Sequence, residues 1–406
     1  MPGWHAKLAD AVKNGDIVML GVTQEQHPER CELFAQWQQF NWPILHDPIN
    51  LLGLRAVPVP ILIDEYGVVR DTRPRTSSVD EFIGTVYPAQ KRDVRLLDPA
   101  VPDLAKMLAD VKQSPAANKW RSMGDAFVLW GGSSKIEAAV SAYKESLRLN
   151  AKSGATNFRL GVAYRMNHER QLAQEAERTG NATVVSADKY FELAVEHWGR
   201  ALELDPNHYI YRRRIQQYGP RLTKPYPFYD WIDQAKSEIK ARGEKPVQLP
   251  IEPTGAEIAM PSRVFTTIES AAKSPDPQGL IIRDSSTMIE ISSVVVPKSV
   301  KSGGTGRVHV SFEPKANVHW NNEAEPLRVW LEAPEGWKLQ QHLLKASTPK
   351  SAESHERRTI EFEVQSPRQV STPATLKGYA LYYICEDSGG QCLYRRQDFV
   401  IKVKVD

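Results

Sequence analysis

Three kinds of hydrophobic periodicity follow one another along the chain. In residues 1–90, amphipathic stretches alternate with short apolar runs. Trp4, Leu8, Ala11 and Val12 recur at helical spacing, and Ile17-Val18-Met19-Leu20-Gly21-Val22 has the unbroken apolar character of a buried parallel strand. Pro28 and Glu29 open a second helix with Leu33, Phe34, Trp37 and Phe40 on one face, and Trp42-Pro43-Ile44-Leu45 reads as extended. Asp47, just before Pro48, is placed to cap the next helical turn. Residues 54–70 read as a strand, a turn at Glu65 to Gly67 and a return strand. The pattern predicts a βαβ unit followed by a hairpin.

Residues 91–113 form a Pro-containing linker with a short helix, after which the period becomes 3.6 throughout. Over 114–240, Trp120, Met123, Gly124 and Phe127 are followed by Ala139, Tyr143 and Leu147. A second set begins with Leu160, Gly161 and Tyr164 and closes with Ala194, Trp198, Ala201 and Pro206. These small and aromatic positions resemble tetratricopeptide repeats, which implies an all-α stack and a peptide-docking surface. Residues 241–261 are a second, Pro-rich linker. In 262–406 the period falls to two: Val308, Val310 and Phe312 alternate with polar residues, as do Ile360, Phe362 and Val364, and Ile401, Val403 and Val405. Half-buried antiparallel strands in this number predict an all-β, immunoglobulin-like sandwich.

Composition narrows the function classes. The 406 residues carry 52 basic and 49 acidic side chains, and a net charge of +3 gives no field that argues for nucleic acid. The basic run Arg212-Arg213-Arg214 reads as a solvated helix face. No apolar stretch approaches the roughly 20 residues of a membrane span. Ten histidines show no metalloprotease or zinc-finger spacing, so no metal and no cofactor is expected. Three cysteines, Cys31, Cys385 and Cys392, are too few for a disulfide scaffold.

The run Gly53-Leu54-Arg55-Ala56-Val57-Pro58, with Ile61-Leu62-Ile63-Asp64 and Gly67 after it, resembles TlpA-like and redoxin-type thioredoxin folds. The resemblance implies an α/β thioredoxin-like domain over 1–90 with Pro58 as its cis-proline. The family's CxxC motif and first strand would lie before Met1, so a longer gene or a fragment is expected, and with it an envelope or periplasmic location through a lost signal peptide; otherwise the location is cytoplasmic. Cys31 has no cysteine partner nearby and reads as an inert, half-buried helix residue.

The segment Tyr382-Tyr383-Ile384-Cys385, a Gly-rich turn and Cys392-Leu393-Tyr394 resembles the N-terminal domain of the disulfide-interchange protein DsbD, with one extra residue between the cysteines. That resemblance implies that Cys385 and Cys392 form a redox pair; from the residues themselves a structural disulfide and free thiols stay open. Arg395 and Arg396 would lower a thiol pKa if they pointed back to the turn, and Glu386 and Asp387 would oppose that. The expected protein is multidomain and of the thiol-disulfide oxidoreductase type, inactive as a thioredoxin in this form, with protein or peptide partners and a thiol-exchange partner. The competing expectation is a non-catalytic binding scaffold built on the helical repeats.

Overall fold

The computed structural model describes residues 2–55, 57–89, 101–179, 185–219, 228–253, 257, 273–349, 351–370, 372–387 and 392–406. Among them run the helices α1 (Pro2–Asn14), α2 (Pro28–Trp37), α3 (Val79–Gly84), α4 (Leu104–Gln113), α5 (Ala117–Trp130), α6 (Ile136–Leu149), α7 (Gly154–Thr179), α8 (Val185–Leu204), α9 (Tyr209–Tyr218) and α10 (Ile232–Ala241). The first strands are β1 (Gly21–Thr23), β2 (Ile44–His46), β3 (Leu62–Ile63) and β4 (Val69–Asp71). The remainder are β5 (Ile289–Val296), β6 (Ser299–Val300), β7 (Thr305–Pro314), β8 (Val318–Asn321), β9 (Arg328–Glu332), β10 (Lys338–Leu339), β11 (Leu343–Lys345), β12 (Glu353–Ser354), β13 (Arg358–Gln365), β14 (Ala374–Glu386) and β15 (Cys392–Val405). Helices and several sheets are thus arranged in a multidomain layout. The chain divides into two compact units, one of residues 1–151, 205–210 and 229–253, the other of 152–204, 211–228 and 254–406. The helical segment 114–240 contributes to both.

In the first unit, β1 and β2 pair in parallel and β3 and β4 antiparallel, as two separate two-stranded sheets. The apolar run before β1 does not form the buried strand expected of it. Pairing covers only Gly21 to Thr23, and Val18 and Leu20 are 79% and 56% exposed, because β2 is the sole neighbour of β1 among the described residues. Asp47 caps a turn rather than a helix, accepting from the backbone N–H groups of Leu51 and Leu52. Asp64 closes the β3–β4 turn by accepting from the N–H groups of Tyr66 and Val68, and it pairs with Arg70 at 2.6 Å. Residues 229–253 belong here because α10 packs on α2: Trp37 stacks on Trp231, and the buried Arg30 lies 4.4 Å from the centre of the Tyr229 ring. Asp103 caps α4, accepting from the N–H groups of Ala105 and Lys106. The pair α5–α6 approaches closely because position 124 has no side chain: a Cβ there would lie 2.4 Å from the Tyr143 ring.

The same device recurs in the second unit, where a Cβ at Gly161 on α7 would lie 2.5 Å from the Trp198 ring on α8. α7 runs unbroken for 26 residues, Gly154–Thr179. Arg214 corrects the reading of a solvated basic face: it is 5% exposed, with its guanidinium against the Phe158 and Trp198 rings. Only Arg212 of the three arginines is exposed.

Two sheets complete this unit. One has the order β10-β13-β7-β5; the other runs β11-β9-β14-β15-β6, with β8 paired to both β14 and β12. They share one core, in which Val308, Val310, Phe312 and Phe362 of the first sheet join Trp320, Val329, Leu331, Tyr382 and Ile401 of the second. Each of these strands alternates, so a second set of side chains points away from that core on the back of each sheet.

Candidate functional site

The two cysteines lie at the end of the longest strand pair. β14 and β15 stay in register from Ala374↔Val403 to Cys385↔Cys392, the last pair before the Gly389–Gly390 turn, which lies outside the described residues. Ile384 and Tyr382 are in the core, so Cys385 projects from the opposite face, and it is bonded to Cys392. Their Cα atoms are 3.9 Å apart, below the usual 4.4–6.8 Å, because register sets them directly opposite one another. The two ends of the bond differ. Cys385, flanked by β8 and β15, is 3% exposed, whereas Cys392 lies open to solvent.

Register also decides which side chains share that face. On the far side of β14, Cys385 opposes His319 of β8. β12 pairs with β8 through Glu353↔Asn321 and Ser354↔Trp320, and the next step of that register sets His355 opposite His319; the two imidazoles meet at 5.6 Å between centroids, at a steep angle. His355, His319, Cys385 and Cys392 therefore form one row across the back of the sheet. Trp320 fixes the row. It is buried, donates to the Glu356 carbonyl at 2.8 Å and lies under the Arg358 guanidinium, so its neighbour His319 has to turn outward. Asp387, two residues beyond Cys385, places Oδ1 2.6 Å from His319 Nδ1 and 3.7 Å from His355 Nε2.

Arg396 does not turn toward the cysteines. It is held by Asp276 at 2.7 Å and Asp398 at 2.6 Å and lies over the Tyr379 ring, while Arg395 donates to the Tyr394 carbonyl. Asp387 is engaged by His319. In the other unit, the Val57–Pro58 peptide is cis. Cys31 there is unbonded; burial pushes its thiol up to about 11, only partly offset by its hydrogen bond to Thr23.

The sequence reading missed a second polar assembly, on the back of the β5–β7–β13 sheet. Arg307 bridges Glu361 at 3.0 Å and Glu363 at 3.4 Å, and His309 Nδ1 lies 3.3 Å from Glu361 while its Nε2 faces the Tyr218 carbonyl. Burial pushes the Glu361 carboxyl up, but the charges and hydrogen bonds of His309 and Arg307 outweigh it and hold the group well below the ordinary range. Asp188 of α8 accepts from Ser292 and Arg357. Burial, with Arg165 and Arg357 nearby, holds His168 well below the ordinary imidazole value. Burial also raises the Tyr218 phenol to about 12. Between them is a cavity of about 170 Å³. Period-two alternation assigned His309 and Glu361 to a solvated face; α8, lying against β5, buries that face instead.

No family model matches the chain. No curated protein matches it significantly either. Among solved structures, the GAE domain of yeast GGA1 is 12% identical with a TM-score of 0.21, over 30% of this chain and 96% of that one. The sporulation control protein Spo0M of Bacillus subtilis is 8% identical with a TM-score of 0.19, over 29% and 49%. The N-terminal domain of Neisseria meningitidis DsbD in its reduced form is 13% identical with a TM-score of 0.14, over 28% and 83%. Scores this low carry no argument about fold or activity, and the functional reading rests on the residues themselves.

Proposed function

We propose that the chain is a thiol-disulfide exchange protein whose working pair is Cys385–Cys392. The observation that carries this reading is the asymmetry of the bond, one cysteine exposed and the other buried. A partner thiolate attacks the Cys392 sulfur, the S–S bond breaks, and the electron pair leaves on Cys385, which takes up a proton or remains a thiolate. A second thiol of the partner then attacks the mixed disulfide and releases Cys392, so the partner dithiol is oxidised by two electrons and the pair is reduced. Run backward, the reduced pair delivers two electrons to a partner disulfide. In this reading 262–406 is a DsbD-like, immunoglobulin-type redox domain, 114–240 a tetratricopeptide-type docking segment and 1–90 a thioredoxin-like domain shaped at Pro58. The tight Gly124–Tyr143 and Gly161–Trp198 contacts support the helical part of it. Cys31, single and held protonated, takes no part.

The test is a redox titration of the full chain against glutathione, followed by alkylation and mass spectrometry. Reduction with a transient glutathione adduct on Cys392 is expected. A pair that stays oxidised at strongly reducing poise, or an adduct on Cys385 instead, would overturn the proposal.

A further inference from the structure

The row beside the disulfide holds a second kind of chemistry. His319, His355 and Asp387 each offer one ligand atom, and these atoms lie within 4.8 Å of one another. We propose that this trio binds a borderline divalent transition-metal ion of the zinc class, with water completing the coordination.

Three features support it beyond proximity. The first is the donor set: two imidazoles and a carboxylate suit zinc and its neighbours, and three protein ligands leave one tetrahedral position open. The second is orientation. His319 Nδ1 faces Asp387, while its other nitrogen, Nε2, lies 3.6 Å from the Glu353 carboxylate. In the present geometry the short contact to Asp387 holds the N–H on Nδ1; with a cation between the two groups the N–H passes to Nε2, on the side of the Glu353 carboxylate, the arrangement that orients metal-bound histidines. The third is the size of the adjustment. Metal–ligand bonds of about 2.0–2.2 Å at tetrahedral angles set neighbouring donors about 3.3 Å apart. The present 2.6 Å between His319 and Asp387 must open slightly, and the 3.7 Å between His355 and Asp387 must close slightly. Asp387 and His355, each about 40% exposed, have room to move, while His319 is held by its strand.

With the disulfide intact no thiolate is offered, so the oxidised chain isolates this site and its test stands apart from the redox reading. Oxidised full-length protein is titrated with Zn²⁺ by calorimetry and with Co²⁺ by visible absorption. One equivalent of Zn²⁺ should bind, and Co²⁺ should give the intense bands of a four-coordinate site. Glu353→Gln should weaken Zn²⁺ binding about tenfold. His355→Ala and Asp387→Ala should each weaken it further and abolish the cobalt bands, with circular dichroism unchanged. Absence of binding, or Zn²⁺ affinity in His355→Ala and Asp387→Ala equal to that of the parent chain, would overturn the assignment.

Discussion

The two sheets of the second unit share one core and carry very different backs. Behind β5, β7 and β13, Thr359 and Glu290 are exposed, but Arg307, Glu361, Glu363 and His309 are covered and pair with one another. Behind β8, β14 and β15, the equivalent positions reach solvent at Cys392, His355 and Asp387. Both faces collect acids and histidines. Under cover such groups are committed to one another, since an unpaired buried charge costs several kcal/mol. At an open edge they stay within reach of solvent. Composition alone does not separate the two faces; cover does.

The largest expected effect breaks the covered network. Glu361→Ala leaves Arg307 with one carboxylate fewer in a buried setting, and should lower unfolding free energy by about 3–5 kcal/mol in denaturant melts. A loss below about 1 kcal/mol would mean that water reaches this face and the contrast fails. Replacing both cysteines with serine acts on the open face. The short loop that the bond closes limits its contribution to about 2.5 kcal/mol by chain entropy, so the double variant should remain folded and melt only moderately earlier.

Acid sharpens the comparison through two shifted groups on the covered side, His168 and Glu361. His168 has a depressed folded pKa, so its unfolded form binds the extra proton and stability falls as pH drops below about 6.5. Glu361 is depressed from 4.5, so its contribution is complete above that value and is lost as pH falls below it. Each contributes at most about 1.4 kcal/mol per pH unit to the slope. His168→Asn should flatten the upper limb and Glu361→Gln the lower one in urea melts taken across pH. An unchanged upper limb in His168→Asn would place that titration elsewhere.

Much of the layout was legible, for physical reasons that also explain the failures. Period-two alternation located β7, β13 and β15, and the Gly-rich turn between Cys385 and Cys392 marked them as a hairpin pair. The same alternation could not say which outward face would be covered, since that depends on a helix remote in sequence. Arg214 failed likewise: charge implied solvent, but the Phe158 and Trp198 rings give its guanidinium an apolar setting. The run Ile17 to Val22 was read as buried from composition, yet burial of a strand is set by its neighbours. His319, His355 and Asp387 were illegible as a group, because only the β8–β12 and β8–β14 registers align them. A spacing motif detects ligands on one element, not on three.

The smallest expected effect is the most exacting test of the contrast. His355 sits at the open edge with its ring about 39% exposed, outside the core and outside the covered network. Removing a surface imidazole that fills no cavity should change unfolding free energy by no more than about 0.5 kcal/mol. His309→Ala, by comparison, removes a ring packed against Phe191 and hydrogen-bonded at both ends, and leaves the Tyr218 carbonyl and Glu361 each short of a partner. Paired denaturant melts should therefore separate two histidines that face away from the same core by at least about 1 kcal/mol. If His355→Ala proves as costly as His309→Ala, the edge beside the disulfide is structurally committed as well, and chemistry there would have to proceed without rearrangement of the row.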